Sequence, residues 1–171
     1  MTLSLYDVTI PVFTRALHTM SGLLDTGRTW ADESGLEHDE LLQAQLYPDM
    51  KPLIHHVRLA CDTARLTAVR VGGVERLDLP ATETGFDDLK ARIVRTRAFL
   101  EAVPKESMEG KEDNTVVLAT PNRELTFTAR DYVLRFAIPD FFFHDMTVYA
   151  LLRHNGVPVR EPDFIGGAEV S

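Results

Sequence analysis

Cysteine is almost missing from this chain: Cys61 stands alone among 171 residues. One thiol cannot close an internal disulfide, and it cannot build a cysteine-based zinc or iron–sulfur centre. Cys61 falls on an apolar helical stripe and reads as a small buried hydrophobe rather than a nucleophile. Long apolar runs are also absent. None reaches the ~18 residues that a membrane span needs, and Met1–Asp7 has neither the basic segment nor the apolar run of a signal peptide. Cytoplasm is therefore the expected compartment, with no membrane partner. Positive charge is scarce: Lys and Arg total 18 against 26 Asp and Glu, a formal net charge of −8. A body this acidic repels phosphate backbones, and the densest basic group, Arg92, Arg95 and Arg97, is interleaved with apolar residues, so no nucleic-acid partner is expected. Gly72-Gly73 and Gly166-Gly167 lack the context of a phosphate loop, and no serine sits in a nucleophile elbow.

What the chain does have is helical periodicity. Leu5, Val8, Val12, Ala16, Thr19 and Leu23 recur at three and four, which predicts a helix from about Ser4 to Arg28 with Pro11 in its first turns. A loop is expected over Ala31–Leu36 and a short helix over Glu37–Ala44. Asp49 is placed as the N-cap of a second long helix. Its stripe, Met50, Leu53, Val57, Ala60, Cys61, Ala64, Ala68 and Val71, ends at Gly72-Gly73. After a linker through Pro80, the run Phe86, Leu89, Ile93, Thr96, Leu100 and Val103 marks a third long helix, closed by Pro104. Two short extended runs, Thr115–Ala119 and Glu124–Thr128, flank a turn at Thr120–Arg123 and read as a β-hairpin. Thr128, with Asp131 three residues on, is an N-cap for a fourth helix, Ala129–Asn155, bent at Pro139. The tail to Ser171 shows no periodicity. Four long helices in one chain of this size predict an all-α four-helix bundle, a single domain over residues 1–171, with the hairpin between the third and fourth long helices.

Helical phase sorts the six histidines. His55 faces water and His56 lies on the inward flank of the second helix. His18, His38 and His154 read as surface or helix-terminal residues. On the fourth helix Asp140 and His144 are four apart on one stripe, one turn from each other, a spacing at which two side chains can hold one metal ion. His56, Asp140 and His144 are thus the candidate ligands of a divalent metal. The alternative is a hydrogen-bonded cluster in the core, with Asp140 capping the second half of the fourth helix. Thr63 and Thr67 share the flank of His56 as pocket-lining residues or polar fillers. Phe143, in the run Phe141–Phe143, is a candidate pocket wall or dimer face.

The stretch His144–Gly156, with Leu152-Arg153 and Gly156 following the histidine, resembles the end of the DinB/YfiT-like proteins. A closer resemblance is to a bacterial domain-of-unknown-function family within that superfamily. It is carried by Ser4-Leu5-Tyr6, Pro48-Asp49-Met50, Ala60–Ala64, Leu125-Thr126-Phe127, Phe143-His144, Leu152–Pro158 and Asp163–Gly166. The resemblance implies an up-down-down-up bundle, often a homodimer. The superfamily includes thiol-S-transferases and hydrolase-like enzymes that bind zinc, nickel or iron through three histidines. Two of these positions map to His56 and His144, and the third falls on Asp140. Two functions follow as expectations: a metal-free module binding a small ligand or a protein partner, or a divalent-metal-dependent hydrolase or thiol-transferase-like enzyme using the His/Asp/His set. In the second, the metal would supply hydroxide from bound water.

Overall fold

The first long helix opens where proline is tolerated. In the computed structural model, which describes residues 3–120 and 123–166, α1 spans Ile10–Ser34 with Pro11 in its first turn. A missing N–H costs nothing there. The helix does not begin at Ser4, where the periodicity predicts it. Instead residues 5–9 form turns, and the Ser4 amide and hydroxyl donate to the Asp7 carboxylate (3.0 and 2.9 Å). The loop expected over Ala31–Leu36 is also largely helix. Ala31 is fully buried, and the stop comes at Gly35, in the left-handed conformation at φ 67°.

Helix α2, His38–Leu42, buries Leu41 and Leu42. Helix α3 runs Leu53–Gly72. Asp49 is not its N-cap, because Pro52 holds the preceding backbone extended and the helix begins only after it. Helix α4 spans Phe86–Glu101 after Gly85, and the Thr84 amide and hydroxyl donate to Asp88 in its first turn. Strands β1, Thr115–Thr120, and β2, Arg123–Thr128, pair antiparallel with Val116 opposite Phe127 and Leu118 opposite Leu125. The expected turn centres on residues 121 and 122, which lie outside the described residues.

The last long helix is built in three pieces: α5, Ala129–Tyr132, a π-helical turn at Val133–Ala137, and α6, Ile138–His154. Thr128 caps it by accepting from the Asp131 amide at 3.1 Å, as expected. The interruption precedes Pro139 rather than falling on it. Pro139 has no N–H to give, and the chain absorbs the gap by widening one turn, with the Ile138 amide reaching back five residues to the Val133 carbonyl. The tail, expected to be irregular, forms a short α7, Glu161–Ile165. The Arg160 amide donates to Asp163 (2.7 Å), and Arg15 of α1 donates to the Ile165 carbonyl (3.2 Å).

Side-chain meetings set the helix directions. Phe13 stacks on Phe141 (4.4 Å between centroids), and Gly27 packs against Leu152 further along, so α1 and α6 run parallel. Arg28 pairs with Asp87 and Arg97 reaches His18 (3.4 Å), so α4 runs against α1. His56 meets His144 while Thr63 meets Asp140, so α3 runs against α6. The order is up-down-down-up. The core fills the centre with Leu17, Met20, Leu24, Val57, Ala64, Leu89, Ile93, Val148 and Leu151. Cys61 is fully buried, and burial pushes its thiol up to about 12, so it is an inert core group.

Parallel α3 and α4 require a connection that travels back along the bundle. Residues 73–85 make that return, and arginines of the helices hold it, among them Arg95, which donates to the Asp78 carbonyl (3.4 Å). Arg65 donates to the Leu77 carbonyl, and Arg92 donates to the carbonyls of Leu79 (3.3 Å) and Pro80 (3.2 Å). Arg58 and Arg92 both pair with Glu83 at 2.7 Å, and Arg92 also pairs with Asp62 at 2.8 Å.

Candidate functional site

The site residues meet on the seam between α3 and α6. His56 is 2% exposed and His144 9%. His55 is half-buried, so phase ordered the pair correctly but overstated the exposure of His55. The three candidate residues form a line. The Nε2 of His56 lies 3.0 Å from the Lys51 carbonyl, its Nδ1 lies 2.9 Å from the Nδ1 of His144, and the Nε2 of His144 lies 3.7 Å from Oδ1 of Asp140. The hydroxyl of Thr63 donates to Oδ2 of Asp140 at 2.6 Å.

Local structure explains each position. Lys51 precedes Pro52 and lies outside the helix, which leaves its carbonyl free for a side chain one turn on. Asp140 and His144 are one turn apart on α6, and Phe143, three residues from Asp140, is on the same face. The Phe143 ring stands edge-on to His144 (5.3 Å) and lies 6.1 Å from His56, with 55% of its surface exposed. Its neighbours in the run divide differently: Phe141 is fully buried, and Phe142 is half-buried against the core.

The hydrogen bonds assign the protons. A carbonyl oxygen only accepts, so Nε2 of His56 carries the hydrogen. Burial pulls His56 below the ordinary histidine pKa, and His144 beside it pulls the same way against the Lys51 contact, so its ring is neutral and its Nδ1 is a lone pair. The 2.9 Å contact then requires a hydrogen on Nδ1 of His144. Burial also lowers the pKa of His144, against the opposing pull of Asp140. Its Nε2 is consequently a second lone pair, facing a carboxylate oxygen.

A polar chain continues along α3. Thr67 is fully buried, donates to the Thr63 carbonyl (2.7 Å), and lies 3.5 Å from the Tyr132 hydroxyl. Arg70 donates to that hydroxyl at 2.9 Å. Thr63 and Thr67 thus lie inside the seam, each hydrogen-bonded. Sequence reasoning gave Tyr132 and Arg70 no part here. The π turn sets the phase of Tyr132 relative to Asp140, and a strict 3.6-residue count does not contain it. Asp145, next to His144, is 1% exposed, and its Oδ1 has no hydrogen-bond partner among the described residues. Burial raises its pKa to about 7.

These residues do not fit a three-ligand metal centre. Two nitrogens bound to one tetrahedral zinc, each at about 2.0–2.1 Å, stand about 3.3 Å apart. The two Nδ1 atoms are closer than that and share a hydrogen. Asp140 faces the opposite edge of the His144 ring, so no single point lies near all three groups. Among the described residues, no three His, Cys, Asp or Glu side chains are grouped to hold a metal ion.

A family model described as a domain of unknown function, DUF1993, matches residues 5–165. The chain belongs to the DUF1993 family. A solved structure with a similar fold is the crystal structure of a DinB family member protein from Shewanella denitrificans. It is 29% identical, covers 98% of this chain and 94% of its own, and superposes with a TM-score of 0.88. No curated protein matches the sequence. This DUF1993 chain is therefore a DinB-like four-helix bundle, and no helix among its described residues is long and apolar enough to cross a membrane.

Proposed function

We propose that this DUF1993 protein is a metal-free binding module whose ligand meets the edge of His144 that faces Asp140. One observation carries the reading: His56 and Asp140 address opposite edges of the His144 ring, at 2.9 and 3.7 Å. His56 is committed to Lys51 and to His144, and it acts as an orienter that fixes the His144 tautomer. Thr63 does the same for Asp140. What remains available is one imidazole lone pair and one carboxylate oxygen. That is one group short of the three protein ligands that catalytic zinc sites use.

The test is metal content and metal uptake. Protein purified without a histidine tag should contain no stoichiometric zinc, nickel or iron. Calorimetric titration with each ion should show no one-to-one binding, and the melting temperature should not rise with the ion in excess. One-to-one uptake that His144→Ala abolishes and His55→Ala preserves would overturn the reading in favour of a divalent-metal enzyme built on His56, Asp140 and His144.

A further inference from the structure

We infer that a cleft between α1 and α4 binds a small organic monocarboxylate, with its carboxylate between Arg15 and Arg97 and its apolar tail on Tyr6, Ile10 and Pro11. The walls of this cleft are the turns before α1, α1 itself and α4, so it is separate from the seam of α3 and α6. It measures about 400 Å3, and small-molecule sites occupy about 300–1,000 Å3. Helical spacing builds it. Ile10, Pro11, Arg15 and His18 share one face of α1, and Arg97 and Glu101 are one turn apart on α4. Arg97 crosses between the helices and donates to His18 at 3.4 Å, so both guanidinium groups border the same space.

Both arginines have donors to spare. The bonds of Arg97 to His18 and Glu101 are each 3.4 Å, beyond the about 2.7–3.2 Å of well-made N–H bonds. Its buried Nε has no partner among the described residues. The pair with Glu101 is partly exposed on both sides, so it is weak and easily displaced. Arg15 gives one N–H to the uncharged Ile165 carbonyl (3.2 Å) and forms no ion pair among the described residues. A carboxylate takes two parallel N–H bonds from one guanidinium, which is what these groups lack. Two arginines against one glutamate also make this cleft locally positive in a chain of net charge −8. An ammonium ligand would face both arginines, and a phosphate dianion would be repelled by Glu101. Ile10 is buried at the base of the cleft, with half-buried Tyr6 and exposed Pro11 beside it, and an alkyl tail laid on them leaves water.

Nuclear magnetic resonance titration of the 15N-labelled full chain tests this, following the Nε–H signals of Arg15 and Arg97 and the amides of α1 and α4. The probes are hexanoate, acetate, hexanol, hexylammonium and inorganic phosphate at matched ionic strength. Hexanoate should give a saturable shift centred on Arg15 and Arg97, and acetate should bind several-fold more weakly. Hexanol, hexylammonium and phosphate should not saturate these signals. Arg15→Gln and Arg97→Gln should each weaken hexanoate roughly 10-fold, the loss of charge-assisted hydrogen bonds. Glu101→Gln, at an exposed position, should tighten it several-fold, a change that misfolding cannot produce. Phosphate, hexanol or hexylammonium binding in place of hexanoate overturns the inference, and so does acetate binding as tightly as hexanoate. No shift with any probe, or hexanoate binding indifferent to all three substitutions, also overturns it. One-to-one zinc uptake through His144 bears on the seam alone, so the two readings fail separately.

Discussion

Replacing Arg92 with methionine is expected to cost about 3–5 kcal/mol of stability, the penalty for breaking a buried ion pair by removing one partner. For a chain of this length that is a fall in melting temperature of roughly 10 °C. The reason is topological. Parallel α3 and α4 demand the long return through residues 73–85, which has little regular structure of its own. Arg92, 3% exposed, ties the carbonyls of Leu79 and Pro80 to the carboxylates of Glu83 and Asp62. Methionine fills the space and leaves Glu83 buried beside Arg58 alone. Acid should act on the same cluster. Burial by itself raises the pKa of Glu83, but Arg92, the backbone amide of Glu83 and Arg58 outweigh it and hold the carboxyl below its ordinary value. A depressed carboxyl contributes stability that is present above its unfolded pKa, about 4.5, and is lost as pH falls through the folded value. Thermal melts of wild type should weaken below about pH 4.5, and Arg92→Met should show a smaller part of that acid loss. A wild-type melting temperature in Arg92→Met would mean that the return segment is not held by this cluster.

The second large effect separates two neighbours in the aromatic run. Phe141→Ala should cost about 3–5 kcal/mol, the range for emptying a buried aromatic site. Phe143→Ala should cost under ~1 kcal/mol, as expected for a surface position. Phe141 is fully buried and stacks on Phe13, joining the first and last helices of the up-down-down-up order. Phe143 is more than half exposed. Urea unfolding of the two variants measures the contrast. Equal costs would mean that α6 is rotated about its axis relative to this description.

The helical stripes were legible because each long helix has one apolar face, and the core residues recur at three and four in the sequence. The hairpin was legible from two short extended runs flanking a turn signal. Helix ends were not, and the misses have separate causes. Pro11, placed within the first turns of a helix from Ser4, instead marks its start at Ile10, the one turn where its missing N–H is free. Pro52 moved the start of α3 past Asp49, because the residue before a proline stays extended. The π turn before Pro139 changes the phase of everything upstream of Asp140, so Tyr132 and Arg70 could not be joined to the polar chain from spacing alone. Arg92 read as part of a scattered basic group, since nothing local says that a helix arginine will turn inward to hold a distant loop.

Spacing and structure bring the same three candidate residues together by partly different routes. Spacing of four brought Asp140 and His144 together, and phase brought His56 to His144. Spacing does not say which ring edge meets which neighbour, and that distinction separates three ligands around one ion from a line of hydrogen bonds. In this structure Lys51 is what orders the line. Its carbonyl, freed by Pro52, commits one nitrogen of His56 and thereby sets the proton positions along the line.

Those proton positions are the most direct test of the whole account. A long-range 1H–15N spectrum of the metal-free protein near neutral pH distinguishes ring nitrogens that carry hydrogen from those that do not. The account predicts hydrogen on Nε2 of His56 and on Nδ1 of His144, with His144 Nε2 bare. Hydrogen on Nε2 of His144, or a bare Nε2 on His56, would contradict it.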